Sequence, residues 1–203
     1  MGKAELDELV VADADGLRAW LAEHHATSSG VWLALTRKSG TVTTLTWQQA
    51  VDEGLCFGWI DGQGRKGDEQ TSWIRFTPRT ARSSWSKRNV EHVARLAAQG
   101  RIMPAGRAAV EAAQADGRWA AAYAPPSEAE VPADLAAAVA AEPAAQAMFD
   151  VLTKTNRFAL IYRLNAVKRA ETRERKIGEF VAMLARHETI HPQKAKPETG
   201  PSA

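Results

Sequence analysis

Apolar residues follow two different periods along this chain, and the change between them divides the sequence. Up to about residue 80, short runs rich in β-branched and aromatic side chains alternate with helical spacing. Leu9-Val10-Val11 predicts a short strand. Asp15 is placed to cap a helix whose apolar positions Leu17, Trp20 and Leu21 fall at i, i+3 and i+4. Gly30 ends the next turn, and Val31 to Thr36 predicts a strand of β-formers. Thr46 with Gln49 three residues on predicts a capping box, opening a helix through Val51 and Leu55 that ends near Gly58. Trp59-Ile60-Asp61 and Thr71 to Thr77 predict two strands joined by a turn from Gly62 to Asp68, and Pro78 closes the second.

From Ser84 the spacing becomes helical. Ser84 or Ser86 is placed to cap a helix with Val90, Val93 and Ala97 on one face, ended by Gly100. Pro104 starts another, which stops near Asp116-Gly117. Three prolines and several acids between Ala124 and Pro132 mark a linker. Beyond it lie helical stretches from Ala133 to Leu152, broken at Glu142-Pro143, from Asn156 to Val167, and from Thr172 to Arg186. Ile177, Phe180, Val181 and Leu184 give the last an apolar stripe. The expected fold is α+β: a small, mainly antiparallel sheet with helices over residues 1–120, a linker at 121–132, a helical C-terminal unit at 133–189, and a disordered tail at 190–203.

Composition excludes several classes. No run reaches the roughly 18–20 apolar residues of a membrane span, and the acidic N-terminus has no apolar secretory core. A lone cysteine, Cys56, makes no intrachain disulfide, which with the missing signal predicts a cytoplasmic protein. The net charge of +2 conceals segregation, because residues 61–101 hold 9 basic against 4 acidic side chains and residues 151–203 hold 11 against 5. Two basic blocks suit an anionic ligand, and they permit nucleic acid without favouring it.

The chemistry-bearing residues concentrate between Cys56 and Asn89. Trp59, Trp73 and Trp85 can build an aromatic wall or pack as core. Strand alternation puts Trp73 and Arg75 on one face, while Arg79 follows just after Pro78. Asp61 is an ion-pair partner or a base. Ser86, Lys87 and Asn89 start a helix beside them. Gly62-Gln63-Gly64-Arg65-Lys66-Gly67 matches a dinucleotide fingerprint in letters, but a strand-like segment follows where a helix is needed, so a hairpin is the reading. Ser84-Trp85-Ser86-Lys87 fits the spacing of a serine nucleophile and lysine base, yet the companion elements are absent and helix capping accounts for the serines. No histidine or cysteine spacing points to a metal, and no cofactor is implied.

Leu55-Cys56-Phe57-Gly58-Trp59-Ile60-Asp61, Phe76-Thr77-Pro78-Arg79 and Ser84-x-Ser86-Lys87-x-Asn89 together resemble the YdeI/OmpD-associated family. So do Gly100-Arg101-x-x-Pro104-Ala105-Gly106, Asp116-Gly117-Arg118-Trp119, and Ala166-x-Lys168-x-x-x-Thr172-Arg173, a resemblance running from about Trp20 to Ile190. Members are labelled bacteriocin-protection proteins, which implies protection without naming a reaction. The leading expectation is a binding protein that holds an anionic or aromatic small molecule among Trp59, Asp61, Trp73, Arg75, Arg79, Trp85, Ser86, Lys87 and Asn89. Its alternatives are a nucleic-acid-associated protein using Arg163, Lys168, Arg173 and Lys176, and a Ser–Lys hydrolase. Whether the chain is an enzyme, and its oligomeric state, stay open at this level.

Overall fold

Asp13, rather than Asp15, starts the first helix. Its side chain accepts from the Gly16 N–H at 2.9 Å, which leaves Asp15 in the first turn, where a carboxylate suits the positive end of the helix dipole. The preceding strand shifts correspondingly, to β1 (Asp7–Leu9), with α1 spanning Ala14–His24. Residues 10–12 are taken by the connection, in which the Ala12 carbonyl accepts from Thr44 N–H and from the Thr43 hydroxyl. A computed structural model describes residues 5–37, 40–125, 128–167 and 169–197, and it divides into two compact units, Met1–Ala122 and Tyr123–Ala203.

The first unit is built on a four-stranded sheet in the order β1-β2-β4-β3. β2 is Val31–Thr36, β3 is Trp59–Lys66 and β4 is Thr71–Pro78, and between β2 and β3 runs helix α2 (Trp47–Cys56). β2 with β4 and β3 with β4 are antiparallel, as the sequence predicts, but β1 joins β2 in parallel, so the sheet is mixed. β3 also runs through the glycines expected to form the turn. A bulge between Asp61 and Gly64 absorbs the irregularity, and the hairpin turn shrinks to residues 67–70. β4 ends at Pro78, which has no N–H to continue the ladder.

One face of the sheet carries Val31, Leu33 and Phe76, which pack with Leu17, Leu21, Leu55 and Trp59 into a single core. The expected capping box closes the N-terminus of α2. Thr46 Oγ1 accepts from Gln49 N–H at 3.2 Å, and the Gln49 side chain accepts from Thr46 N–H at 2.9 Å. After α2, Gly58 takes φ +75° and turns the chain into β3. Helices α3 (Lys87–Ala98) and α4 (Pro104–Ala115) complete the unit. α4 comes so near α2 that a Cβ on Gly106 would overlap the Cys56 carbonyl oxygen.

The second unit is helical: α5 (Ala133–Ala140), α6 (Pro143–Asp150), α7 (Lys154–Asn165) and α8 (Ala170–Ala185). Among its described residues none of 134–186 lies in a strand, in line with an α+β chain whose sheet is N-terminal. Leu135, Met148, Leu160, Leu164, Phe180 and Leu184 form its own core. Residues just past Ile190, expected as free tail, are instead tied to α7. The Asn156 amide donates to the His191 carbonyl at 3.0 Å and to the Gln193 side chain at 2.9 Å, and His191 N–H returns a bond to Asn156 Oδ1 at 2.8 Å. Residues 198–203, the rest of that segment, lie outside the described residues.

Candidate functional site

Arg79 leaves the end of β4 with its backbone N–H bonded to the Gly58 carbonyl at 2.9 Å. Its guanidinium carbon then lies 3.6 Å from the centroid of the Trp85 ring, and Nη1 donates to the Ser84 carbonyl at 3.0 Å. Trp85 is itself 2% exposed and backed by Trp119, whose ring centroid is 4.9 Å away. The stack therefore fixes a planar cation on a buried indole. Trp85 Nε1 is buried and has no hydrogen-bond partner among the described residues.

A second arginine orders the same loop. Arg118 Nη1 donates to the Ser83 carbonyl at 3.0 Å and the Thr80 carbonyl at 3.3 Å, while Nε donates to both Asp116 carboxylate oxygens at 2.9 and 2.8 Å. Thr80 and Ser83 close a turn on each other, with Thr80 N–H donating to Ser83 Oγ at 2.9 Å and Ser83 N–H to the Thr80 carbonyl at 3.0 Å. Arg79, Arg118 and Asp116, with Thr80, Ala81, Ala109 and Ala112, line a cavity of about 190 Å³. Two guanidiniums and one carboxylate line it above an alanine floor, a net positive setting that suits a small anion.

Asp61 lies near this site on the helix-covered side of the sheet. Burial pushes its carboxyl above the ordinary aspartate range, although its own backbone N–H, the Trp47 side chain and the charge of Arg79 all pull the other way. Arg88 in turn lies over the Trp47 ring at 5.5 Å and donates to Gln48 Oε1 at 3.2 Å. At the start of α3 the Ser86 side chain accepts from Asn89 N–H at 3.1 Å, so its role is a helix cap. Asn89 is half-buried and Lys87 is exposed. A Ser–Lys pair requires a lysine removed from water, and Lys87 is exposed.

The nine residues expected to share one pocket divide among three places. Arg79 and Trp85 meet directly, with Asp61 near Arg79 and Ser86, Lys87 and Asn89 at the adjoining helix start. Trp59 is core. It is 1% exposed, its Nε1 donates to the His25 carbonyl at 3.2 Å, and Trp20 meets it edge-on at 5.7 Å. Trp73 and Arg75 alternate with Phe76, so they project from the opposite face of the sheet. There Arg65 reaches over Trp32 at 4.5 Å and Trp73 at 5.5 Å. The separation follows from alternation: the aromatic-basic clusters adjoin in sequence, but the pleat sends neighbours to opposite sides.

Arg118 was legible only within the Asp116-Gly117-Arg118-Trp119 run, with no sign that it meets Arg79. The polar groups of α2 gave no sequence signal either, since they sit at core positions of an amphipathic helix. Glu53 is buried and bridges Arg18, at 2.9 Å, and Arg101. Asp52 accepts from Arg95 Nη2 at 2.8 Å and meets His92 Nδ1 at 2.9 Å. Burial alone would raise the Asp52 carboxyl, but the Arg95 and His92 bonds outweigh it and hold the group below the ordinary range. These ties clamp α2 to its neighbours. Among the described residues no group of three His, Cys, Asp or Glu side chains could hold a metal ion, and no helix is long and apolar enough to cross a membrane.

In the C-terminal unit the residues proposed to meet nucleic acid are partly engaged. Arg173 Nε and Nη2 donate to the Asp134 carboxylate at 2.6 and 3.0 Å, and Nη1 donates to the Leu164 carbonyl at 3.0 Å. Lys176 pairs with Glu179 at 3.5 Å, Arg163 is exposed, and Lys168 lies outside the described residues.

Two family models match the chain. One, described as a domain of unknown function (DUF8412), covers residues 9–109. The other, described as Bacteriocin-protection, YdeI or OmpD-Associated, covers residues 128–187. No curated protein and no solved structure matches significantly. The family resemblance expected from Trp20 to Ile190 is thereby narrowed. The aromatic-basic motifs from Leu55 to Asn89 fall under the domain of unknown function, and the segment Ala166 to Arg173 falls under the family match. Residues 128–187 are thus similar to the bacteriocin-protection, YdeI- or OmpD-associated family.

Proposed function

We propose that this protein is a cytoplasmic binding protein that holds a small anionic molecule between Arg79 and Arg118, in a protective role of the kind named in the family description. The observation that carries this reading is the Arg79 guanidinium fixed on the Trp85 ring at 3.6 Å, lining the same cavity as Arg118. A cavity of about 190 Å³ is below the roughly 300–1,000 Å³ of sites for drug-sized ligands. The ligand is therefore a compact carboxylate or phosphate. Asp116 already pairs with Arg118 through both carboxylate oxygens, the side chains 44% and 21% exposed, so an incoming anion has to displace a partly buried pair. An incoming anion with two acceptor oxygens can compete with it, because the loop carbonyls keep Arg118 in place.

Isothermal titration calorimetry with inorganic phosphate, citrate and benzoate tests the reading. Saturable binding of at least one, lost in Arg79→Ala and Arg118→Ala and kept in Arg75→Ala, is expected. Absence of saturable binding for all three, or equal loss in Arg75→Ala, contradicts it.

A further inference from the structure

We propose that the open face of the sheet is a docking surface for single-stranded nucleic acid, separate from the Arg79–Arg118 cavity. The registers Trp32↔Arg75 and Ala34↔Trp73, Arg65↔Trp73, and Glu8↔Trp32 put these six side chains on one face. The unit's core gathers on the other face, and Trp32 and Trp73 take no part in it. Both indoles are half-buried in a layer of their own, beneath which Ala34 is fully buried. Trp32 and Trp73 stand as diagonal cross-strand neighbours, a placement about 7–8 Å apart in an antiparallel pair. Two aromatic platforms on adjacent strands can each take one base of an extended strand.

Arg65 occupies that position in the free protein. Its guanidinium lies over both rings and pairs with Glu8. The pair is exposed, at 38% and 55% of the two side chains, so water screens it and it holds the arginine weakly. A base stacked on each indole replaces the two cation–π contacts of Arg65, and the freed guanidinium turns to a phosphate. Arg75 stands beside Arg65 on the same face, so among the described strand residues the face carries two arginines against the carboxylate of Glu8. At the hairpin end Arg37 and Lys66 stand with Asp68 and Glu69, and Asp68 Oδ1 is turned inward to accept from Gln70 and Thr71 N–H. A duplex keeps its bases stacked inside and offers nothing to the indoles, so the preference is for single strands.

Fluorescence anisotropy of labelled oligothymidylate, single-stranded and as a duplex with oligoadenylate, tests the proposal on the full chain. Single-strand binding is expected to weaken as salt rises. It is also expected to fall about tenfold or more in Trp32→Ala and Trp73→Ala, the loss of one base stack, and to stay unchanged in Arg79→Ala. Glu8→Gln separates a binding role from a structural one, because it frees Arg65 and is expected to tighten binding. Equal affinity for duplex, wild-type binding by both tryptophan variants, or weaker binding in Glu8→Gln overturns the proposal. So does a dimer in size-exclusion light scattering that Trp73→Ala dissolves, since the face then belongs to a second copy of the chain.

Discussion

Arg79 shows how a charged side chain is held in one plane, by an aromatic ring beneath it and a carbonyl at its edge. Adjacency in sequence made Arg79 and Trp85 legible as a cluster, because only a short loop separates strand end from helix start. The burial of Trp59 was not legible, since an indole at a strand start serves core and site equally well, and only the packing of Trp20 and His25 decides. Asp61 carries a prediction at this scale. Burial raises its carboxyl in the folded chain, so the folded state binds that proton more tightly than the unfolded state does. The stability this contributes is fully present below the unfolded value of about 4 and is lost as pH rises through the folded value. Asp61→Asn is therefore expected to be more stable than wild type at pH 7, the gap closing below about pH 4. Urea midpoints across that range measure it. A variant less stable at neutral pH would mean that the Trp47 and Arg79 interactions outweigh burial.

Among the elements, starts and stops were the most readable features, because caps are local. Thr46 bonds with Gln49 as the spacing predicts, and of the two serines placed to cap the next helix it is Ser86 that does so, through Asn89 N–H. Pairing was less readable. The parallel joining of β1 to β2 depends on where α1 returns the chain, and the passage of β3 through Gly62 and Gly64 depends on a bulge that no residue type announces. The α2–α4 approach is another long-range fact, visible in sequence only as the glycine of Pro104-Ala105-Gly106. Gly106→Ala puts a methyl group into the Cys56 carbonyl, a backbone atom that cannot yield without moving α2. The expected cost is about 1–3 kcal/mol or more, seen as a lowered midpoint in thermal or urea unfolding. Wild-type stability in that variant would show that α4 can slide along α2, contrary to the packing described.

At the scale of the whole molecule, each unit encloses its own core, and the two family matches fall one in each. The helices of the C-terminal unit were legible because Ile177, Phe180 and Leu184 recur at helical spacing and all three are buried. The division of the aromatic-basic residues between two faces of the N-terminal sheet was not, because it rests on which strands pair. Arg79 and Arg118 are proposed to act together on one anion. The most direct measurement follows the Arg79 and Arg118 side-chain Nε–H signals and the Trp85 indole N–H by nuclear magnetic resonance during titration with inorganic phosphate, citrate and benzoate in turn. With at least one of these anions all three signals are expected to move together and saturate at one ligand per chain. Under every anion, movement confined to exposed Arg82 and Arg88, or shifts that grow without saturating, would contradict it.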